Sequence, residues 1–176
     1  MRSVQLEIPT AHYRHLLGHL LCANGESEQA AFLYARAMVS ECSATFQFLG
    51  CLLVQPRQFA IQSEFHLELD DRTRAKVIKT AHDLQCSLVE LHSHPASDIA
   101  MFSWSDFCGL KEFVPHVWWR LKNRPYAALV VARQSVDGLA WLESPEKVEP
   151  VGAIVVDGQI LGTTGLSYNS MASAKS

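Results

Sequence analysis

The chain has 176 residues, of which 48% are hydrophobic and 19% charged, and its formal net charge is −3 at pH 7. This length allows one domain with a proper core, and the small negative charge argues against nucleic acid or an anionic membrane as a partner. No apolar run approaches the roughly 18–20 residues that span a bilayer, and the first residues lack a signal-peptide core. The five scattered cysteines contain no C-x-x-C pair, a pattern typical of reduced thiols. We therefore expect a cytoplasmic protein.

The first half of the chain alternates between helical and strand patterns. Thr10 is a good N-cap residue, and the leucines that follow it at helical spacing predict an amphipathic helix. Alternating apolar residues predict strands, and an aspartate ahead of apolar residues at helical spacing predicts a second helix. The predicted elements, in chain order, are a helix from Thr10 to a stop at Asn24-Gly25, strands at 44–54 and 65–69, and a helix from Asp70 or Asp71 to about Leu84.

The second half is predicted to be mainly β-structure with one further helix. A strand at 86–91 is followed by a helix from Ser103 to about Phe113, which is expected to end before Pro115. The later predicted elements are a strand at 126–131, a strand at 139–142 paired with it across a turn at Asp137-Gly138, a hairpin of 151–156 with 159–161, and a loose tail from Thr163. This order predicts an α/β fold, a mixed β-sheet flanked by helices, with the domain at 1–165 and a flexible tail at 166–176.

A metal-site pattern follows the strand at 86–91. Residues two apart on a strand project to the same face, so His92 and His94 can reach one point in space. Pro95 marks the end of strand pairing because proline cannot donate to a sheet ladder. Asp106 follows in the first turn of the next predicted helix. Two imidazoles, one carboxylate and an open fourth position are typical of a catalytic zinc site.

The pair Ser103 and Asp106 also has a simpler interpretation. A serine followed three residues later by an acid fits a helix N-terminus, where the serine caps the helix and the aspartate lies favourably in the first turn. The two roles do not exclude each other, because a cap holds in place the turn that carries Asp106.

The combined stretch His-Ser-His-Pro and Ser-x-x-Asp resembles the signature of the JAMM (JAB/MPN) zinc metalloproteases. In that family a glutamate lies upstream, and H-x-H is followed by seven residues, a serine, two residues and an aspartate. Here eight residues separate His94 from Ser103, and a loop can accept one more residue at little cost. Starting instead at Ser105 would put Cys108 in the place of the aspartate. The resemblance implies a JAB/MPN, cytidine-deaminase-like fold.

The same resemblance implies a role for each matching residue. His92, His94 and Asp106 would be the zinc ligands, with water as the fourth, and zinc would lower the pKa of that water toward about 7. Ser103 would hydrogen-bond the oxyanion of the tetrahedral intermediate.

A glutamate upstream would carry the proton from the water to the leaving amine. Glu28 fits best because the small residues Ala30 and Ala31 open an apolar run just after it. Glu26 and Glu41 remain competitors for this role.

Two further features have open interpretations. Glu90 lies on the face of His92 and His94, so it is either a hydrogen-bond partner of a histidine or a solvated charge at the strand end. The four tryptophans are predicted to pack in the core or between helices rather than to form a binding surface: Trp104, Trp118, Trp119 and Trp141.

The resemblance implies a zinc isopeptidase or peptidase that cleaves after the C-terminal tail of a ubiquitin-like protein. The chain looks most like the deubiquitinase-like proteases of bacterial ubiquitin-like conjugation operons that act in antiviral defence. Its expected partners are a ubiquitin-like protein, the conjugates of that protein and other proteins of such an operon. The alternatives are a protease that matures a sulfur-carrier protein and a non-catalytic MPN-type scaffold. A zinc deaminase would need H-x-E together with P-C-x-x-C, and the sequence contains no P-C-x-x-C.

Overall fold

The computed structural model describes residues 2–22, 27–64 and 66–173. Its helices are α1 (Thr10–Leu20), α2 (Asp71–Asp83), α3 (Trp104–Arg120) and α4 (Leu166–Ser173). Its strands are β1 (Ser3–Ile8), β2 (Ala30–Val39), β3 (Ser43–Leu53), β4 (Phe59–Gln62), β5 (Leu67–Leu69), β6 (Ser87–Ser93), β7 (Tyr126–Val131), β8 (Val136–Trp141), β9 (Val148–Pro150), β10 (Ala153–Val156) and β11 (Gln159–Gly162). Within these ranges, no helix combines the length and apolar character needed to cross a membrane.

Nine of the strands form one mixed sheet, in the order β11-β10-β1-β3-β2-β6-β7-β8-β9. Strand β6 lies inside this sheet, antiparallel to β2 and parallel to β7. Strands β4 and β5 form a separate antiparallel hairpin. The predicted α/β architecture, a mixed sheet flanked by helices, is therefore confirmed at this level.

Each face of the sheet has its own core, because strand side chains alternate between faces. The side chains of Val89 and Leu91 pack on the face that α1 covers, with Leu16 and Leu20 of that helix. The other face packs against α2, α3 and α4. Alternation therefore directs Glu90 and His92 toward the face that carries α3.

Two predicted boundaries in the second half are wrong. Helix α3 continues through Pro115 to Arg120. Pro115 lies on the exposed side of the helix, where water can satisfy the backbone group that it frees, while Val114 and Val117 on the buried side hold the helix against the sheet. The turn before β8 is formed by 132–135, not by Asp137-Gly138, which lies inside β8. A side chain at Gly138 would come within 3.0 Å of Val151, so glycine serves close packing there.

The predicted loose tail is also wrong for 166–173, which forms helix α4. The buried carboxylate of Asp137 accepts hydrogen bonds from the backbone N–H groups of Gly165 and Ser167, at 3.0 and 2.8 Å, and so anchors the start of this helix. The composition suggested a loose tail because the segment is rich in small and polar residues. Its order comes instead from a partner 28–30 residues away in the chain.

Strand β1 had not been predicted, although its alternation is plain in the sequence, with Val4, Leu6 and Ile8 buried. It lies between β3 and β10, parallel to both. Helix α1 begins at Thr10 as expected, but the N-cap position is Pro9. The predicted stop at Asn24-Gly25 lies outside the described residues.

Asp137→Ala is expected to lower the free energy of unfolding by about 3 kcal/mol, because it leaves three backbone N–H groups without their acceptor in a buried place. Urea denaturation measures the change. Asp98→Ala is the matched control, since Asp98 pairs with Arg133 at an exposed site and its loss should cost under about 1 kcal/mol. Equal effects of the two substitutions would contradict the anchoring role of Asp137.

Candidate metal centre

The end of strand β6 carries the two histidines. His92 is held on both sides, paired with Ala30 of β2 and with Val130 of β7. His94 lies one residue past the strand, and its backbone N–H donates to the Val131 carbonyl at 2.8 Å. Both imidazoles are largely shielded from water, with side-chain exposures of 12% and 16%. The pairing of β6 with both neighbours therefore fixes the two imidazoles side by side at the C-terminal end of this strand.

Asp106 completes a compact group of three ligand atoms with the two histidines. The Nε2 atoms of His92 and His94 are 3.2 Å apart. Asp106 Oδ1 lies 3.4 Å from Nε2 of His92, and Oδ2 lies 3.3 Å from Nε2 of His94. Atoms bound to a tetrahedral zinc ion at 2.0–2.1 Å are themselves about 3.3 Å apart. The three side chains thus form a group that could hold a metal ion.

The electrostatics of this group favour a cation. Burial alone would raise the pKa of Asp106, but hydrogen bonds with His92 and His94 outweigh it and hold that pKa far below its usual range. Burial opposes protonation of His92, yet the Asp106 carboxylate raises the pKa of His92 above its ordinary value. The carboxylate therefore draws positive charge to the point where the imidazole nitrogens converge, whether that charge is a proton or a metal ion.

Ser103 and Asp106 form a reciprocal cap at the start of α3, as the simpler interpretation predicted. The Asp106 N–H donates to Ser103 Oγ at 3.2 Å, and the Ser103 N–H donates to Asp106 Oδ2 at 2.7 Å. The cap orients the Asp106 carboxylate toward the histidines, so capping and ligand geometry coexist. Ser103 is exposed, and its role toward an oxyanion stays a prediction.

Glu28 lies at the rim of the group, just before β2. Its side chain is 7% exposed, and Oε1 lies 3.5 Å from Nε2 of His94. The backbone of Glu28 is fixed on both sides, because its N–H donates to the Ser63 carbonyl and its carbonyl accepts from Gln62 Nε2, both at 2.9 Å. It is not part of the close ligand group. Burial raises the pKa of Glu28, with the two histidines opposing. This position suits a proton carrier beside a metal site.

A hydrogen-bonded clamp that the sequence analysis did not identify ties Glu28 to the histidines. The Ser93 N–H donates to the Gln29 carbonyl at 3.0 Å, and the Gln29 N–H donates to Ser93 Oγ at 2.9 Å. Ser93 is fully buried, between the candidate ligands His92 and His94 in the chain. A serine between two histidines carries no such signal in the sequence, because its partner is 64 residues away.

Two other glutamates, Glu41 and Glu26, compete with Glu28 for the role of proton carrier. Glu41 is exposed in the turn between β2 and β3, at the far end of β2 from Glu28. Strand β2 has ten residues, which is roughly 30 Å at the rise of a strand. Glu41 therefore cannot reach the centre. Glu26 lies outside the described residues.

Glu90 lines a cavity of about 660 Å³ that opens beside His92 and Asp106. It makes no hydrogen bond to either histidine among the described residues. It is not a solvated strand end either, because it lies inside β6, paired with Phe32 and Ala128, and is only partly exposed. Burial raises its pKa. The buried hydroxyl of Tyr126 lies beside the Glu90 carboxylate, and burial together with that negative charge raises the pKa of Tyr126 well above its usual value. Glu90 thus belongs to the wall of the cavity, which neither sequence interpretation anticipated.

The prediction for the tryptophans is confirmed for Trp118 and Trp141, which are buried, and wrong for Trp104 and Trp119. Trp104 is 82% exposed at the first position of α3, two residues before Asp106. Phe102, which the sequence analysis did not single out, is buried instead, with its ring 5.6 Å from that of His92.

No protein-family model and no curated protein matches this chain. Its fold is similar to the solution structure of protein DSY2949 from Desulfitobacterium hafniense, with a TM-score of 0.54 over 89% of this chain and 94% of that one. The two sequences are 15% identical, so the likeness concerns the fold alone. Together, fold and site define an α/β protein with a mixed sheet flanked by helices and a His-His-Asp group that could hold a metal ion.

Proposed function

We propose that the protein is a zinc-dependent peptidase of the JAMM (JAB/MPN) type that cleaves after the C-terminal tail of a ubiquitin-like protein. The observation that carries the proposal is the spacing of the three ligand atoms of His92, His94 and Asp106, 3.2–3.4 Å apart, with the Glu28 carboxylate at their rim. Together with the order of these residues in the chain, this arrangement supports the JAMM assignment and the JAB/MPN version of the fold.

The donor set suits zinc, which binds imidazole nitrogen and carboxylate oxygen. A zinc ion held by these three side chains would supply Lewis acidity, polarising a carbonyl and lowering the pKa of water toward about 7. Three protein ligands are the number found in catalytic zinc sites, whereas structural sites use four. One coordination position of the zinc ion would thus stay open for water or substrate.

Glu28 would move the proton in this reaction. Its carboxylate accepts a proton from the attacking water and donates it to the departing amine, so that the peptide bond breaks and a carboxylic acid forms. A carboxyl whose pKa is raised by burial is a better base near neutral pH than an exposed one. The hydrogen bonds to the Glu28 backbone hold it in place for both transfers.

The surroundings of the centre support a protein substrate. The cavity beside His92 and Asp106 is large enough to admit an extended peptide segment, and the hairpin strand β5 borders it. An extended tail could be held there by main-chain hydrogen bonds. The exposed side chains of Ile99, Met101 and Trp104 stand next to the centre in the chain, and such apolar surface is typical of a protein contact.

The test is the metal content of the freshly purified protein beside that of His92→Ala. About one zinc per chain is expected in the wild type and little in the variant, because one of three ligands is lost. His82→Ala is the matched control, since His82 is exposed on α2 and outside the ligand group. Cleavage of ubiquitin-like fusion proteins is then measured for all three.

The outcomes separate the candidate functions. A wild type that takes up no zinc, even when zinc is added, would contradict the peptidase and favour a binding module of the MPN type. Zinc with cleavage only of a sulfur-carrier precursor would identify the maturation protease instead. Cleavage of conjugates of a ubiquitin-like protein would support the proposed deconjugating activity.

A further inference from the structure

The loop 95–102 connects the two parts of the candidate metal centre. His92 and His94 precede it on β6, and Asp106 follows it on α3. The loop therefore decides whether the third ligand reaches the other two. At eight residues it is longer than the short connections typical of compact domains, and a connection of this length needs contacts from outside to adopt one conformation.

One set of contacts comes from the turn between β7 and β8. The Ala100 N–H donates to Ser135 Oγ at 2.7 Å, and Ser135 Oγ in turn donates to the Asp98 carbonyl at 3.2 Å. Arg133 also pairs with the Asp98 carboxylate at 2.9 Å. The hydrogen bonds of Ser135 fix the middle of the loop, whereas the Asp98–Arg133 ion pair is exposed and adds little.

The other set comes from the C-terminal segment, 163–173. Thr164 Oγ1 donates to the Ala100 carbonyl at 2.9 Å, and the Phe102 N–H donates to Ser167 Oγ at 2.9 Å. Both Phe102 and Ser167 are almost completely buried. The ring of Phe102 lies against His92, and the next residue, Ser103, caps the turn that carries Asp106. The C-terminal segment thus contacts the loop where it meets both sides of the centre.

The C-terminal segment is itself anchored to the sheet. The Asp137 carboxylate of β8 accepts from the backbone N–H groups of Gly165 and Ser167. The Thr164 N–H donates to the Val136 carbonyl at 3.0 Å. A rigid strand therefore holds the segment, and the segment holds the loop.

We infer that Ser167 and Thr164 are positioning residues for the metal centre: they fix the loop 95–102 so that Asp106 meets His92 and His94. The inference rests on the proposed function in taking these three side chains as metal ligands. The C-terminal segment is then a working part of the site and not an appendage to the domain.

The physical basis is the buried N–H of Phe102. Without the Ser167 hydroxyl this group has no acceptor, and a buried donor left unpaired is costly, so the loop would move to solvate it. Movement of Phe102 displaces both its ring beside His92 and the cap at Ser103. Groups that orient metal ligands typically contribute 10–100-fold to metal affinity. We expect a loss of about tenfold for Ser167→Ala.

The test compares Ser167→Ala and Thr164→Val with Thr163→Val. Thr163 belongs to the same segment and donates through Oγ1 to the Val151 carbonyl at 2.5 Å, away from the loop. This control therefore loses a hydrogen bond of the same kind without touching the loop. Amide hydrogen exchange across 96–106 is measured on metal-free protein, zinc affinity by competition with a chelator, and ligand geometry from the absorption spectrum of the cobalt-substituted protein.

Faster exchange at Phe102, weaker zinc binding and an altered cobalt spectrum are expected for Ser167→Ala and Thr164→Val, with Thr163→Val like the wild type. The inference would be overturned if Ser167→Ala and Thr164→Val both showed the hydrogen-exchange rates and the zinc affinity of the wild type. If Ser167→Ala does not fold, Thr164→Val alone decides, since Thr164 is only partly buried. A wild type that binds neither metal would count against the proposed function, and the exchange data would still show whether the segment holds the loop.

Discussion

Glu28→Gln is expected to keep its zinc and to lose about 10²–10⁴-fold in the rate of peptide-bond cleavage. Glutamine keeps the size and hydrogen-bonding shape of the side chain but cannot accept the proton of the attacking water. Zinc should remain because Glu28 stands outside the close ligand group. The rate is measured on a ubiquitin-like fusion protein, and the zinc content on the same preparation.

Glu41→Gln is the matched control, because Glu41 is exposed at the opposite end of β2. It should cleave at the wild-type rate. Full activity in Glu28→Gln would move the role of the base to Glu26, the competitor that the structure leaves open. Loss of zinc in Glu28→Gln would mean instead that Glu28 is a ligand and that the site has four protein groups.

Asp106→Asn is expected to weaken zinc binding by about 10²-fold or more, a larger effect than the loss of a group that only orients a ligand. Asparagine can still accept the Ser103 N–H through its amide oxygen, so the cap of α3 is preserved while the negative charge is lost. The substitution therefore separates the two roles that Asp106 combines. Competition with a chelator measures the affinity, and thermal unfolding shows whether the helix cap survives.

Asp98→Asn is a suitable control for this experiment. Asp98 lies in the loop between the candidate ligands, but its side chain is about half exposed and pairs with Arg133. The zinc affinity of the Asp98→Asn variant should therefore match that of the wild type. Unchanged zinc binding in Asp106→Asn would mean that another oxygen completes the site.

The eight-residue spacing between His94 and Ser103 departs from the JAMM pattern, and the structure shows how the loop is accommodated. The His94 carbonyl accepts from the Ser97 N–H at 3.0 Å, which turns the chain at once after the second histidine. The loop then follows the turn between β7 and β8 and reaches Ser103 with the cap intact. A longer loop therefore remains compatible with the three-ligand geometry.

Local patterns in the sequence predicted the parts of the protein that depend on neighbours a few residues apart. Strand alternation put His92 and His94 on one face, and the capping pattern placed Asp106 in the first turn of α3. Both follow from the periods of strand and helix and from hydrogen bonds within one turn. The missed strand β1 had the same local signal.

Only the tertiary structure decided the parts that depend on long-range pairing. The sequence only ranked Glu28 above Glu41. The exclusion of Glu41 follows from the pairing of β2 with β6, which brings one end of β2 to the histidines and carries the other end away. The order of α4 follows from the buried carboxylate of Asp137, and the continuation of α3 past Pro115 follows from the sheet beneath it. These choices were not readable in the sequence, because the free energy that selects them comes from buried contacts between residues far apart in the chain.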